Sequence, residues 1–134
     1  QDQLIQVLLN IVRNARQAIT ENEAQAERGR IVLRTRAMRQ VTIGSLRHRV
    51  VCRIDIEDNG PGIPREMLDR VFYPMVSGRA HGSGLGLSIA QSIVNQHHGL
   101  IECESAPGRT VFTILLPFEQ PVTQHSNGLR HGPK

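Results

Sequence analysis

Aromatic side chains are scarce in this 134-residue sequence: it has no tryptophan, one tyrosine and three phenylalanines. Proteins that bind single-stranded nucleic acid stack bases on aromatic faces. So few rings argue against a direct nucleic-acid partner, even at a formal net charge of +4. Cysteine is nearly absent too. Cys52 and Cys103 lie in distant segments, and no full set of Cys and His ligands closes around either. That argues against a zinc site and predicts two buried thiols in a reducing compartment. No apolar run is long enough to cross a bilayer, and no signal peptide is evident. The expectation is a cytoplasmic domain with no membrane contact.

The length suits one compact domain. The arginines from Arg28 to Arg53 alternate with apolar residues rather than forming a block, as on the solvated face of a strand. Residues 2 to about 19 read as a helix, because Leu4, Leu8, Ile11, Ala15 and Ile19 recur at helical spacing and Ile5 and Val12 widen the stripe. "RIVLRTRAMRQVTI" and "RVVCRIDIED" read as strands joined by a turn in "GSLRH". In the second, Cys52, Ile54 and Ile56 alternate with Arg53, Asp55 and Glu57, the period of a sheet with one wet face. "NGPGIP" is a turn, and "PREMLDRVF" is a short helix with proline in its first turn. "YPMVSGRAHGSG" reads as a mobile loop. "LGLSIAQSIVNQHHG" reads as a helix with Leu87, Ala90, Val94 and His97 on one face and Gly99 as its stop. "LIECES" and "RTVFTILLP" are two further strands around "APGR". From Glu119 onward the polar sequence predicts a disordered tail. Hence one domain is expected at 1–118 and a tail at 119–134. The class is α+β: a two-layer sandwich whose mixed, mostly antiparallel sheet carries helices on one face.

Glycines alternate in "HGSGLGLSIA". A dinucleotide fingerprint needs such glycines directly after a strand, with an acid about twenty positions on. Glu102 meets the second condition, but "SGRAH" before Gly82 is no strand end and a βαβ crossover is lacking. What remains is physical. Gly82, Gly84 and Gly86 let a phosphate approach closely, and the opening turn of the helix offers unpaired N–H groups to an anion.

Three other features bear on the ligand. Asn10 and Asn14, four apart in "NIVRN", project together from the first helix. Two amide oxygens there suit a hard cation such as Mg2+ shared with phosphates; two solvated amides would look the same. Asp58 ends a strand in "DNGPGI". It suits an exocyclic amine, with Gly60 and Gly62 letting a flat ring lie close; a capped turn would look the same. Thr110 in "GRT" offers a hydroxyl for a water-bridged purine contact.

In this order and at these separations, the motifs resemble the Bergerat-type ATP-binding fold shared by gyrase, Hsp90, MutL and the sensor histidine kinases. "NIVRNA" is similar to the N box, "DNGPGI" to G1, "FYPMVSG" to the F box, "GSGLGL" to G2 and "GRTVF" to the terminal GT element. The resemblance covers residues 1 to about 117. It implies that Asp58 binds the adenine amine and that Gly60 and Gly62 shape the turn around the base. Asn14, aided by Asn10, would coordinate Mg2+ on ATP. The backbone at Gly84, Leu85 and Gly86 would contact phosphates. The stretch from about Phe72 to Ser83 would be an ATP lid, in which Arg79 would stabilise terminal phosphate charge.

In gyrase-like ATPases the position four before the metal-binding Asn is a Glu, the general base for water. Here it is Asn10, an amide that takes no proton at neutral pH. The resemblance therefore favours a histidine kinase over an ATP hydrolase, and both over a non-catalytic nucleotide-binding module. None of His48, His81, His97, His98, His125 or His131 precedes an acidic residue, as the phosphoacceptor typically does. The acceptor is expected on a separate dimerisation and phosphoacceptor domain of the same kinase. "FYPMVSGR" and a short lid are most similar to the NtrB-type kinases of nitrogen regulation. That resemblance implies an NtrC-like response regulator and the PII signalling protein as partners. Gln17 stands where many kinases have Lys or Arg, which shifts phosphate contact toward Arg79 and the backbone.

Overall fold

The computed structural model describes residues 2–21, 26–72 and 86–118. The first helix, α1 (Asp2–Thr20), begins with an acid in its first turn, where the helix dipole favours it. It buries Val7, Ile11, Ala15, Ala18 and Ile19. The expected stripe is thus rotated: Leu4, Leu8 and Val12 only flank the core, and Ile5 is 56% exposed. The rotation arises because α1 is covered from two sides, by the sheet and by a second helix, so the most buried line falls between them.

A short 3-10 turn at Ala26–Arg28 leads into β1 (Ile31–Ile43), which pairs antiparallel with β2 (Leu46–Asp58). The hairpin turn is only Gly44 and Ser45. Leu46, Arg47 and His48, expected in the turn, belong to the strand and pair with Ile43, Thr42 and Val41. Gly44 takes φ +63°, and glycine with positive φ at the first central position is the II′ preference of two-residue hairpins. After β2 comes α2 (Arg65–Leu68), with Pro64 at its N-cap. It is shorter than the nine-residue stretch expected. Two strands, β3 (Leu100–Ala106) and β4 (Arg109–Pro117), close the sheet around Pro107 and Gly108. Gly108 at φ +85° after proline fits a type II turn.

The sheet order is β1-β2-β4-β3, and every pairing among the described residues is antiparallel. β2 pairs with β4 only from Val51 to Asp58, so the Leu46 end of the β1–β2 hairpin projects past the sheet. One sheet face carries Ile54, Ile56, Ile101, Phe112 and Ile114, which join Val7, Ile11, Ala90, Ile93 and Val94 in one core. Complete burial of Ile11, Ile56 or Ile114 contributes about 1.5–3 kcal/mol each. The other face is wet, as the alternation in β2 predicts. There Arg34 and Arg109 bond Glu57 at 3.0 and 3.2 Å, and Arg53 and Thr113 bond Asp55. The Arg34 hydrogen bond, then the Arg109 charge, hold the Glu57 carboxyl below its ordinary value. The Glu57 pairs are exposed and screened, so the stability they add is small; the Asp55 pairs are part-buried.

The helix α3 (Gly86–Gln96) ends in a full Schellman pattern: Gly99 N–H donates to Val94 O at 2.9 Å and His98 N–H to Asn95 O at 3.0 Å. The left-handed residue is His98, at φ +63°, not the expected Gly99. Gly99 is required for space instead: a Cβ there would lie 2.3 Å from the Leu115 carbonyl oxygen. Both cysteines are free and half-buried rather than fully buried. The expected tail at 119–134 lies outside the described residues.

Candidate functional site

Strand register brings the candidate residues together. Asp58, the last residue of β2, is directly opposite Thr110 near the start of β4, and Thr110 is opposite Ser105 of β3. Asp58 and Thr110 are each 4% exposed. A carboxylate at a strand end is thus held in a polar row that crosses three strands and borders the apolar core. Asp58 Oδ1 accepts the Gly60 N–H at 2.9 Å, which folds the chain back immediately after the strand.

The turn that follows is wedged between two elements. At Gly60 a Cβ would sit 3.0 Å from Asp58 Oδ1 and 3.2 Å from the Ala18 methyl of α1. At Gly62, φ is +96° and a Cβ would lie 2.7 Å from the Ala106 carbonyl oxygen. Both glycines therefore serve close approach, and Gly62 also serves a conformation that other residues resist. Ile63 N–H donates to Ser105 Oγ at 2.8 Å, and that oxygen lies 2.7 Å from Thr110 Oγ1.

Asn59 and Ser105 carry structural duties that motif reading did not assign. Asn59 Oδ1 accepts the Arg30 N–H at 2.7 Å, and its Nδ2 donates to the Arg28 carbonyl at 2.9 Å. It ties the entry to β1 against the exit from β2 and so fixes the chain directly after Asp58. An Asn in a D-N-G turn was the available signal. Ser105 left no signal, because its partners are 42 and 5 residues away.

Asn14 and Asn10 are half-buried on α1, one and two turns before Ala18. That places them roughly 6 and 12 Å along the axis from the Ala18–Gly60 contact. Both are neutral amides, and Asn10 has a further polar partner. Among the described residues no cluster of three His, Cys, Asp or Glu could hold a metal ion alone. A hard cation here would depend on oxygens brought by a ligand, which the two amides fit. Gln17 is half-buried on the same helix. Gly86 opens α3, whose Ala90, Ile93 and Val94 share the core with α1. Phe72, the start of the expected lid, packs edge-on against Phe112 with centroids 6.1 Å apart. Arg79, Gly82, Gly84 and Leu85, and the remainder of the lid to Ser83, lie outside the described residues.

Cys103 shares the core face with Asp58. Burial first, then the charges of Asp58 and Glu104, push its thiol up to about 12 from 9.0. The group stays protonated at neutral pH and adds no second anion beside Asp58. The stability this lends is complete below pH 9.0 and is lost as pH rises through about 12. In the folded chain at pH 8, Cys103 is expected to resist iodoacetamide and to react on denaturation. Mass-spectrometric labelling checks this; full labelling without denaturant would contradict it.

A buried carboxylate, a glycine turn, a hydroxyl across from the carboxylate and two amides on the adjoining helix are the candidate groups that the fold places around the end of β2. Residues 1–120 match the family of histidine kinase-, DNA gyrase B- and HSP90-like ATPases, and the chain belongs to that family. Within it, the chain is similar to the sensory histidine kinase/phosphatase NtrB of Klebsiella oxytoca, at 56% identity over 119 residues, covering 89% of this chain and 33% of the relative. It is 43% identical over 119 residues to NtrB of Rhodobacter capsulatus, covering 87% and 32%. The chain thus spans about a third of the curated relatives it matches. The nucleotide-free catalytic domain of the histidine kinase ThkA superposes with a TM-score of 0.64 at 28% identity, covering 87% of this chain and 66% of that one. Full-length ShkA in complex with AMPPNP gives 0.62 at 25% identity, covering 88% and 22%.

Proposed function

We propose that residues 1–118 form the ATP-binding catalytic domain of an NtrB-type sensor histidine kinase. In this reading it binds Mg-ATP and passes the γ-phosphoryl group to a histidine on the kinase's own dimerisation and phosphoacceptor domain. The observation that carries the reading is the buried Asp58, set by Gly60 and Asn59 at the end of β2 and faced by Thr110. Asp58 accepts the adenine amine. Gly60 and Gly62 admit the ring edge, and Thr110 supports it. Asn14 and Asn10 would hold Mg2+, which would neutralise phosphate charge when bound. Gly82, Gly84, Leu85 and Gly86 offer backbone N–H groups to the phosphates, and Arg79 stabilises the terminal one.

The choice of kinase over hydrolase rests on Asn10. An amide supplies no general base for water, so the γ-phosphoryl group is kept for a better nucleophile that a partner domain presents. The similarity to NtrB and the AMPPNP complex of ShkA support nucleotide binding and two-component signalling. An NtrC-like response regulator and a PII-type protein are the proposed downstream and regulatory partners. No described helix is long and apolar enough to cross a membrane; the cytoplasmic location is part of the proposal.

The test mixes this chain with the phosphoacceptor domain and γ-labelled ATP. Acid-labile, base-stable label on that domain's histidine is expected, with little free phosphate. Rapid phosphate release without protein label would instead establish the hydrolase. Bound nucleotide with neither outcome would leave the non-catalytic module.

A further inference from the structure

We propose that Ser105 is a positioning residue for the nucleotide base: it holds both the Gly60–Gly62 turn and the Thr110 hydroxyl in place around Asp58. The inference rests on the nucleotide reading above and adds a residue that motif matching does not reach.

Ser105 Oγ stands at a junction. It accepts the Ile63 N–H at 2.8 Å, from the residue directly after the turn, and lies 2.7 Å from Thr110 Oγ1. A serine hydroxyl has one proton and two lone pairs. One lone pair is committed to Ile63, so the proton is available to Thr110. When Ser105 donates, the proton of Thr110 is released to point elsewhere. Thr110 is directly opposite Asp58 in the strand register, and such pairs have Cβ atoms about 4.5–5.5 Å apart on one face. A single ligand edge can therefore meet both groups, directly or through one water. Asp58 then presents an acceptor and Thr110 a donor, side by side. Adenine offers the complement, an amine beside a ring nitrogen lone pair. Guanine offers the reverse, a carbonyl beside a ring N–H.

Ser105 also decides where the turn sits. The turn is pinned near Asp58 by the Gly60 N–H and near Ala106 by the close approach of Gly62. The Ile63–Ser105 bond is the polar tie between its far end and β3. Without that oxygen, Ile63 N–H loses its acceptor and Thr110 loses the partner that orients its proton. Both effects act on the base and neither on the phosphate tail.

The experiment measures calorimetric Kd values for ADP, GDP and inorganic tripolyphosphate, each with Mg2+, and a melting curve for every variant. Ser105→Ala is expected to weaken ADP about tenfold and to narrow the ADP-over-GDP preference by a similar factor. Tripolyphosphate affinity should stay within about twofold. Ser105→Thr keeps the hydroxyl and should restore ADP binding and base preference. Ser105→Cys keeps the volume but is a poor acceptor; it should reproduce the loss even if the alanine chain does not fold. Folded Ser105→Ala or Ser105→Cys variants that bind ADP like the wild type overturn the proposal, as does an equal loss for tripolyphosphate or a Ser105→Thr chain that fails to recover ADP binding. A wild-type chain that binds no ADP overturns the nucleotide reading itself, a result distinct from failure of Ser105 alone.

Discussion

Asp58→Asn is expected to weaken ADP binding by about a hundredfold or more while the chain stays folded. Two magnitudes set that figure. A hydrogen bond to a charged group is worth about 1.5–3 kcal/mol, and a mismatched buried donor adds a similar penalty; each 1.4 kcal/mol is tenfold in Kd. Asparagine is the sharper substitution here because of what Asp58 already does. Its Oδ1 accepts the Gly60 N–H at 2.9 Å, and the asparagine carbonyl can keep that bond. The other position then becomes an NH2 group, which meets the adenine amine donor to donor. The turn survives and recognition fails. Asp58→Ala would lose both at once and confuse the two. Calorimetry with ADP, alongside a thermal melt, reads them separately. A folded asparagine variant with unchanged ADP affinity would remove the adenine assignment, and Thr110 and Ser105 would lose their proposed purpose with it.

Asp58 also shows how much of the candidate site the sequence alone reveals. Asp58, Gly60, Gly62 and Thr110 can be named as candidates from the sequence because the motifs that hold them resemble a family's; a carboxylate after a strand pattern, glycines in a turn and a hydroxyl opening a strand carry no function one by one. Their convergence follows from the antiparallel order β1-β2-β4-β3, which sets Asp58 against Thr110. Asn10 and Asn14 were legible from the helical period, since α1 is regular over its whole length. Periodicity names a face but not what covers it. For that reason Val7 and Ala18 replaced Ile5 in the buried stripe once α3 and the sheet both packed on α1. The first hairpin turn is shorter than "GSLRH" suggests for a similar reason. Gly44 and Ser45 suffice to turn the chain, and "LRH" after them has no turn chemistry of its own. Gly99 was identified as a helix stop, yet its need is tertiary: the Leu115 carbonyl leaves no room for a Cβ. Ser105 and Asn59 act only across the fold, so no local pattern marks them.

Gly62→Ala is expected to cost about 2–5 kcal/mol of stability, from two separable sources. The first is conformational: at φ +96° an L-residue is held in a region that costs roughly 1–2 kcal/mol. The second is steric. The new methyl would lie 2.7 Å from the Ala106 carbonyl oxygen, a backbone atom in a closed hairpin that cannot swing aside, and overpacking of this kind costs typically 1–3 kcal/mol. Gly108 provides the control. It has φ +85°, yet a Cβ there would meet nothing within 4 Å, so Gly108→Ala should show the conformational cost alone. The melting temperature of Gly62→Ala should therefore fall by roughly 10 °C, clearly more than that of Gly108→Ala. Only the Gly62 variant should also lose ADP affinity. Its methyl displaces the turn from β3, pulls Ile63 away from Ser105 and widens the gap in which the base edge would lie beside Asp58. Equal losses of melting temperature in the two variants would show that the turn yields freely and that the close approach at Ala106 does not hold it. ADP affinity retained by a destabilised Gly62→Ala chain would show that the turn's position does not govern the base site, whatever it does for the fold.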